Sequence, residues 1–191
     1  MEKSRFRCVK MREVKLPHRA NEGDAGLDFY FPTNLKVKDL LAVESNAHLE
    51  HTTKTPLENQ FSVSTTKEGH IVSLFLGPNT RISIPSGIRA LLEPRDSMMQ
   101  VNNKSGRSSK QGLTFTAQVC DSPYTGEYHL GVHNNSTVPQ TLEAGKAVVQ
   151  MVHIPIYLTE PEEITQEEYN KDAKNWGTRQ EKGMGNSSKN K

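Results

Sequence analysis

CDSPYTGEYHLGV, residues 120–132, places a carboxylate, Asp121, at a turn, an aromatic ring, Tyr124, three residues on, and Gly126 and Glu127 ahead of an alternating segment. An aspartate beside a tyrosine in a hairpin mouth pairs a general base with a flat stacking surface. D-S-P-Y is equally the composition of an ordinary turn. NKSGRSSKQGL, 103–113, supplies Lys104, several hydroxyls and Gly106 at the entry of a short helix, which is how backbone N–H groups are brought onto a phosphate. A solvated helix cap has the same composition, and the GxxxxGK and GxGxxG nucleotide fingerprints are absent. EAGKAVVQMV, 143–152, turns into a strand with Gln150 after two valines; buried, that amide needs partners, whereas an edge position would leave it to water. RQEKGMGNSSKNK, 179–191, has almost nothing to bury and yet the composition of a phosphate cradle. His129 and His133 alternate on one strand face, with no third ligand beside them to make a metal site.

The elements that must position these residues follow from composition and period. At 191 residues and 21.4 kDa the chain is one domain's worth, with 34% hydrophobic residues and a mean hydropathy of −0.68, low enough to imply a large surface or a part that does not fold alone. Net charge is +2 and the Lys and Arg residues are scattered, so no basic stripe points to nucleic acid or to an anionic membrane. Cys8 and Cys120 have neither metal spacing nor a disulfide framework. With no signal-like segment and no run near the ~20 apolar residues of a membrane span, the expectation is a soluble, cytoplasmic chain.

GLDFYFP (26–32), VSLFLG (72–77), RISIPSGI (81–88), QGLTFTAQV (111–119), YHLGVHN (128–134) and KAVVQMVHIPIYL (146–158) read as short strands closed by Pro or Gly. That pattern is all-β, a sandwich or barrel, with one short helix within 105–113. The polar, turn-rich stretch 43–69 reads as an insertion or mobile hairpin inside a β domain spanning 1–158. Residues 159–191, acidic and then basic and Gly/Ser-rich, read as a linker followed by a flexible C-terminal arm.

Taken together and in order, DAGLDFY (24–30), KSGRSSKQGL (104–113), AQVCDSPYTGE (117–127), EAGKAVVQ (143–150) and RQEKGMGNSS (179–188) resemble the five motifs of the trimeric dUTPases, in the manner of phage and viral members. The resemblance covers about four fifths of the chain and skips 43–69. RISIPSGIRALLEPRDSMMQVNNKSG also looks like the family's strand–turn–strand lead into its second motif, which makes Arg95 a turn residue.

The resemblance implies a distorted jelly-roll, or β-clip, that assembles as a homotrimer with shared sites. The reaction would be hydrolysis of dUTP to dUMP and pyrophosphate by water attack on the α-phosphorus, with Mg²⁺ carried on the triphosphate. Asp121 stands at the general base. Tyr124 stands where a ring packs under deoxyribose, and Gln118, Val119 and Cys120 in the hairpin that reads uracil through its main chain. Lys104, Ser105 and Gly106 match the phosphate grip and Gln150 the fourth motif. Arg179 matches the γ-phosphate contact, and Gly183, Met184, Gly185, Asn186 and Ser187 the rest of the closing arm. Asp28 matches the first motif's carboxylate, expected near the metal and its waters.

Four departures stand out. Lys104 replaces the usual Arg, so a planar fork becomes a point charge. Met184 replaces a Phe over uracil, trading ring stacking for a thioether. Gln180 and Lys182 replace two arm glycines. The alternatives are a dCTP deaminase of the same fold, disfavoured by Gly131 where that reaction needs a Glu, and a regulatory or structural relative that has lost the reaction.

Overall fold

The computed structural model describes residues 4–49 and 61–176, which divide into two compact units between Tyr157 and Leu158. The first contains eleven described strands in three sheets. One runs β1 (Arg5–Lys10), β5 (Arg81–Glu93), β9 (Glu127–Asn134), β7 (Leu113–Phe115), in that spatial order. A second runs β10 (Gln140–Glu143), β4 (Ile71–Leu76), β3 (Phe61–Thr65), and the third β2 (Leu27–Tyr30), β11 (Ala147–Pro155), β6 (Ser97–Asn102), β8 (Val119–Asp121). All named pairings are antiparallel. The fold is the expected all-β jelly-roll.

Period-2 patterning explains the strands. Along β6, SMMQVN alternates buried and half-buried positions, and along β1 Phe6 and Cys8 turn inward while Arg5 and Arg7 face out. The 13-residue β5 bends where its register breaks between Pro85 and Arg89: its first part pairs with β9 and its last with β1. A proline that cannot donate to the ladder is suited to such a break. Phe29, Phe31, Leu40, Ile82, Ile84, Tyr128, Leu130 and Met151 fill a common core, each apolar side chain of this size contributing about 1.5–3 kcal/mol on burial.

The elements differ from the expected list at several places. The stretch 43–69 includes β3, whose FSVST carries the strand formers Phe61, Val63 and Thr65 and pairs with β4; the polar residues around it hide the short run. Residues 50–60 of that stretch lie outside the described residues. Helices exceed the single one expected: α1 (Val37–Leu41) and a 3₁₀ turn (Glu44–Asn46) precede α2 (Ser105–Gln111), and α3 (Gln166–Trp176) occupies much of the stretch read as linker. At the start of α3, Thr165 and Glu168 cap one another: the Thr165 N–H donates to Glu168 Oε2 at 2.8 Å and the Glu168 N–H to Thr165 Oγ1 at 3.2 Å. Arg95 lies in the bend between β5 and β6, as expected.

Candidate functional site

The third sheet does the positioning. β11 lies between β2 and β6, and its register sets Gln150 opposite Asp28 on one side and opposite Asn102 on the other. Lys104 follows β6 and is the N-cap residue of α2. Motifs distant in sequence therefore meet in one corner, where the Lys104 ammonium donates to both oxygens of Asp28, at 2.6 and 2.7 Å. The Asp28 side chain is 12% exposed and that of Lys104 27%, so the pair is partly shielded from water and interacts more strongly than a fully exposed pair would. Gln150 Nε2 donates to the Asn103 carbonyl at 2.7 Å, and Asn103 Oδ1 accepts the Phe115 N–H at 3.0 Å. The amide of Gln150 is partnered, and its partner is the backbone beside Lys104.

Gly26 is required here by space. A Cβ on it would lie 2.6 Å from Gln150 Oε1, so any side chain would push the amide from its place. A cleft of about 600 Å³ opens against this corner, lined by Asp24, Gly26, Asn102, Asn103, Phe115 and Gln150 among others. Ser105 and Gly106 open α2 and are exposed, and a side chain at Gly106 would meet nothing within 4 Å. First-turn N–H groups have no acceptor within a helix, so this exposed turn offers donors to an anion. Arg107, on the same helix, ties it to the sheet by donating from Nε to the Ala147 carbonyl at 3.1 Å; burial lowers its pKa, opposed by the charge of Glu143.

Across β6 lies the second region. β8 pairs with β6 so that Asp121 faces Met98, Cys120 faces Met99 and Val119 faces Gln100, while the Gln118 carbonyl accepts the Val101 N–H at 2.8 Å. Gln118, Val119 and Asp121 are exposed. Burial, and then the charge of Asp121, push the Cys120 thiol up to about 11. The Tyr124 N–H donates to the Asp121 carbonyl at 3.0 Å and closes the turn. The Tyr124 hydroxyl donates to the Glu127 carbonyl at 2.9 Å, which fixes the ring at the mouth of the hairpin with 45% of the residue exposed. Glu127 is itself held, accepting the Gly87 N–H at 2.7 Å and Arg12 Nε at 3.0 Å on the same oxygen.

Asp28, Lys104 and Gln150 thus come together, with Ser105 and Gly106 beside them. Gln118, Val119, Cys120, Asp121 and Tyr124 form a separate group. Along β6, the residues opposite Gln150 and opposite Asp121 are Asn102 and Met98, about 13 Å apart at ordinary strand rise, and β11 and β8 are separated by a further ~10 Å across the sheet. Arg179, Gly183, Met184, Gly185, Asn186 and Ser187 lie outside the described residues. Reading the sequence did not assign roles to Gly26, Asn103 and Arg107 in the site, and gave Glu127 only a place in the motif. All four sit within or beside quoted motifs, but Arg107 and Glu127 act through partners 40 and 115 positions away in sequence.

No family profile matches the chain. It is 25% identical over 153 residues to the deoxyuridine 5'-triphosphate nucleotidohydrolase of Alcanivorax borkumensis, covering 79% of this chain and 77% of that one. It is 32% identical over 89 residues to the enzyme of the same name from Desulfitobacterium hafniense, which is 46% of this chain. In that match the chain spans only 59% of the relative's length. Among solved structures, the dUTPase of Staphylococcus bacteriophage 80alpha, determined as a mutant with dUpNHpp, superposes with a TM-score of 0.66 at 16% identity, over 96% of this chain and 98% of that one. The dUTPase from phage phi11 of S. aureus, described with a structural Mg(II) ion, gives 0.59 at 15% identity over 85% and 97%.

Proposed function

Since the chain is by sequence and fold a relative of the dUTPases, we propose that it hydrolyses dUTP to dUMP and pyrophosphate. The observation that carries this reading is the meeting of Asp28, Lys104 and Gln150 in one corner, with an exposed Asp121 on the same sheet and a fixed Tyr124 in the turn that follows it. Asp121 has the exposure and the acceptor oxygens to orient a water and take its proton as that water attacks the α-phosphorus. Tyr124 presents its ring to the sugar, and the main chain of Gln118, Val119 and Cys120 presents donors and acceptors to the uracil edge. Lys104, with the first-turn N–H groups of Ser105 and Gly106, meets the phosphates as a point charge beside backbone donors.

Among the described residues no three His, Cys, Asp or Glu side chains gather into a metal-binding group, and Asp28 already shares its oxygens with Lys104. The donor set does not make a cage, and it fits Mg²⁺ arriving on the triphosphate as part of the substrate. Bound there, the ion draws charge from the phosphate oxygens.

By strand geometry the backbone at Gln150 and at Asp121 is on the order of 16 Å apart in one chain. The reading includes a homotrimer, each site combining the Asp121–Tyr124 turn of one copy with the Lys104 corner of another. The C-terminal arm, with Arg179 and Met184, would close that shared site. Deamination of dCTP is disfavoured because Gly131 is buried and a Cβ there would collide with the Thr116 hydroxyl, leaving no room for a catalytic carboxylate.

The test is pyrophosphate release from dUTP, UTP, dTTP and dCTP by the purified chain with Mg²⁺. Release from dUTP alone supports the reading. Ammonia from dCTP without pyrophosphate from dUTP would overturn it.

A further inference from the structure

With the dUTP reading above as premise, we infer that Tyr128 is a positioning residue that sets discrimination between deoxyribo- and ribonucleotides, by holding the Tyr124 ring as an unyielding floor. Tyr124 is the outer end of an aromatic column rooted in the core. Its ring stacks on that of Tyr128, with centroids 6.0 Å apart and planes at 21°, and Tyr128 in turn stacks on Phe29 at 6.2 Å and 27°. Phe6 closes the base, edge-on to Phe29 at 5.9 Å and 84° and tilted against Tyr128 at 6.4 Å. Tyr128 and Phe29 are both fully buried.

An exposed tyrosine ordinarily swings about its side-chain torsions. Tyr124 is restrained at three places. Its hydroxyl is committed to the Glu127 carbonyl, and one ring face rests on Tyr128. Beneath its far end, Gly126 leaves so little space that a Cβ there would lie 2.5 Å from the hydroxyl oxygen and 2.6 Å from Cζ. Rejecting a 2′-hydroxyl by bulk demands a wall that cannot retreat. A ring able to sink by an ångström would admit the ribonucleotide, and the ring of Tyr128 is what prevents the sinking. The Tyr128 hydroxyl has no part in this, being buried without a hydrogen-bond partner among the described residues. Such an orphan is a cost that phenylalanine would avoid, so ring and hydroxyl are separable by substitution.

The experiment compares Tyr128→Phe and Tyr128→Leu with the unaltered chain, using kcat and KM for dUTP and UTP, and ¹⁹F spectra of protein labelled with 3-fluorotyrosine. The Tyr124 resonance is assigned by its loss in Tyr124→Phe. Tyr128→Phe is expected to keep the dUTP preference and the Tyr124 line, with an equal or higher melting temperature. Tyr128→Leu is expected to lower the dUTP:UTP ratio of kcat/KM roughly tenfold, the upper range of an aromatic pair's contribution. The change should fall on KM more than on kcat, and the Tyr124 line should shift or broaden. A folded Tyr128→Leu with unchanged ratio and unchanged Tyr124 line overturns the inference. If the leucine variant does not fold, Tyr128→Met is read against the same criteria. If the unaltered chain turns over neither nucleotide, the dUTP reading falls, and the ¹⁹F line alone then decides whether Tyr128 fixes Tyr124.

Discussion

The Lys104 corner and the Asp121 turn face each other across β6 and are built in opposite ways. In the corner the charged groups are the rigid parts: Asp28 and Lys104 hold one another at 2.6 and 2.7 Å, partly shielded from water, and Gln150 is tied to the neighbouring backbone. In the turn the rigid part is a ring, and the carboxylate of Asp121 stands free in solvent. A grip on phosphate gains from charges placed in advance, because little reorganisation then accompanies binding. A base gains from an oxygen left available for a water. The contrast divides holding from reacting.

Substituting Asp121 is the sharpest way to break that division. Asp121→Asn is expected to lower kcat by about 10²–10⁴, the range for loss of a general base, with the KM for dUTP little changed. Because the side chain is exposed, its melting temperature should match the unaltered chain, and calorimetry with activity on one preparation checks both. Ending the chain after Trp176 comes next. Without Arg179 and the arm, kcat should fall by about 10²–10³, while circular dichroism and light scattering remain as before.

Cys120 tests how closed the ground under the turn is. A thiol held at about 11 instead of 9.0 has about a hundredfold less thiolate at pH 8. Alkylation by iodoacetamide, mapped by mass spectrometry, should therefore quicken by about 10² when the chain is unfolded in urea. The folded chain keeps this proton while the unfolded chain loses it, so the contribution to stability is present below the ordinary thiol pKa and is lost as pH rises through the folded value near 11.

On the other side, Lys104→Met leaves Asp28 shielded and unpaired. It should cost on the order of 2–4 kcal/mol in urea unfolding and raise the KM for dUTP. Asp28→Asn with Lys104→Met should cost less than the two single changes together, and strict additivity in that double-mutant cycle would mean the pair is not coupled. The smallest effect is expected of Gly26→Ala, about 1–2 kcal/mol, as Gln150 is displaced from the Asn103 carbonyl.

Part of this was legible in the residues and part was not. RFRCVK shows why strand β1 escaped notice: its charges mask an alternation in which Phe6 and Cys8 face the core, and only the pairing of Arg7 with Glu93 at 2.8 Å reveals the partner that neutralises them. Helix α3 was spelled out by the reciprocal Thr165 and Glu168 cap, yet it lay in a stretch whose acidic composition suggested a linker. The aromatic column could not be read at all, because Phe6, Phe29, Tyr124 and Tyr128 come from β1, β2, a turn and β9.

By itself the sequence determined the all-β class, the short helix after Asn103, the motif order and the chemical type of each candidate residue. These depend on local period, turn chemistry and side-chain identity, all of which are properties of neighbours along the chain. Only the tertiary structure decided that Asp28 would be the partner of Lys104, that Gly26 would make room for Gln150, and that Tyr124 would rest on Tyr128. Those outcomes depend on strand order and register, which bring residues 76 positions apart within hydrogen-bond distance. Nothing in the local pattern of either segment encodes which segment it will meet.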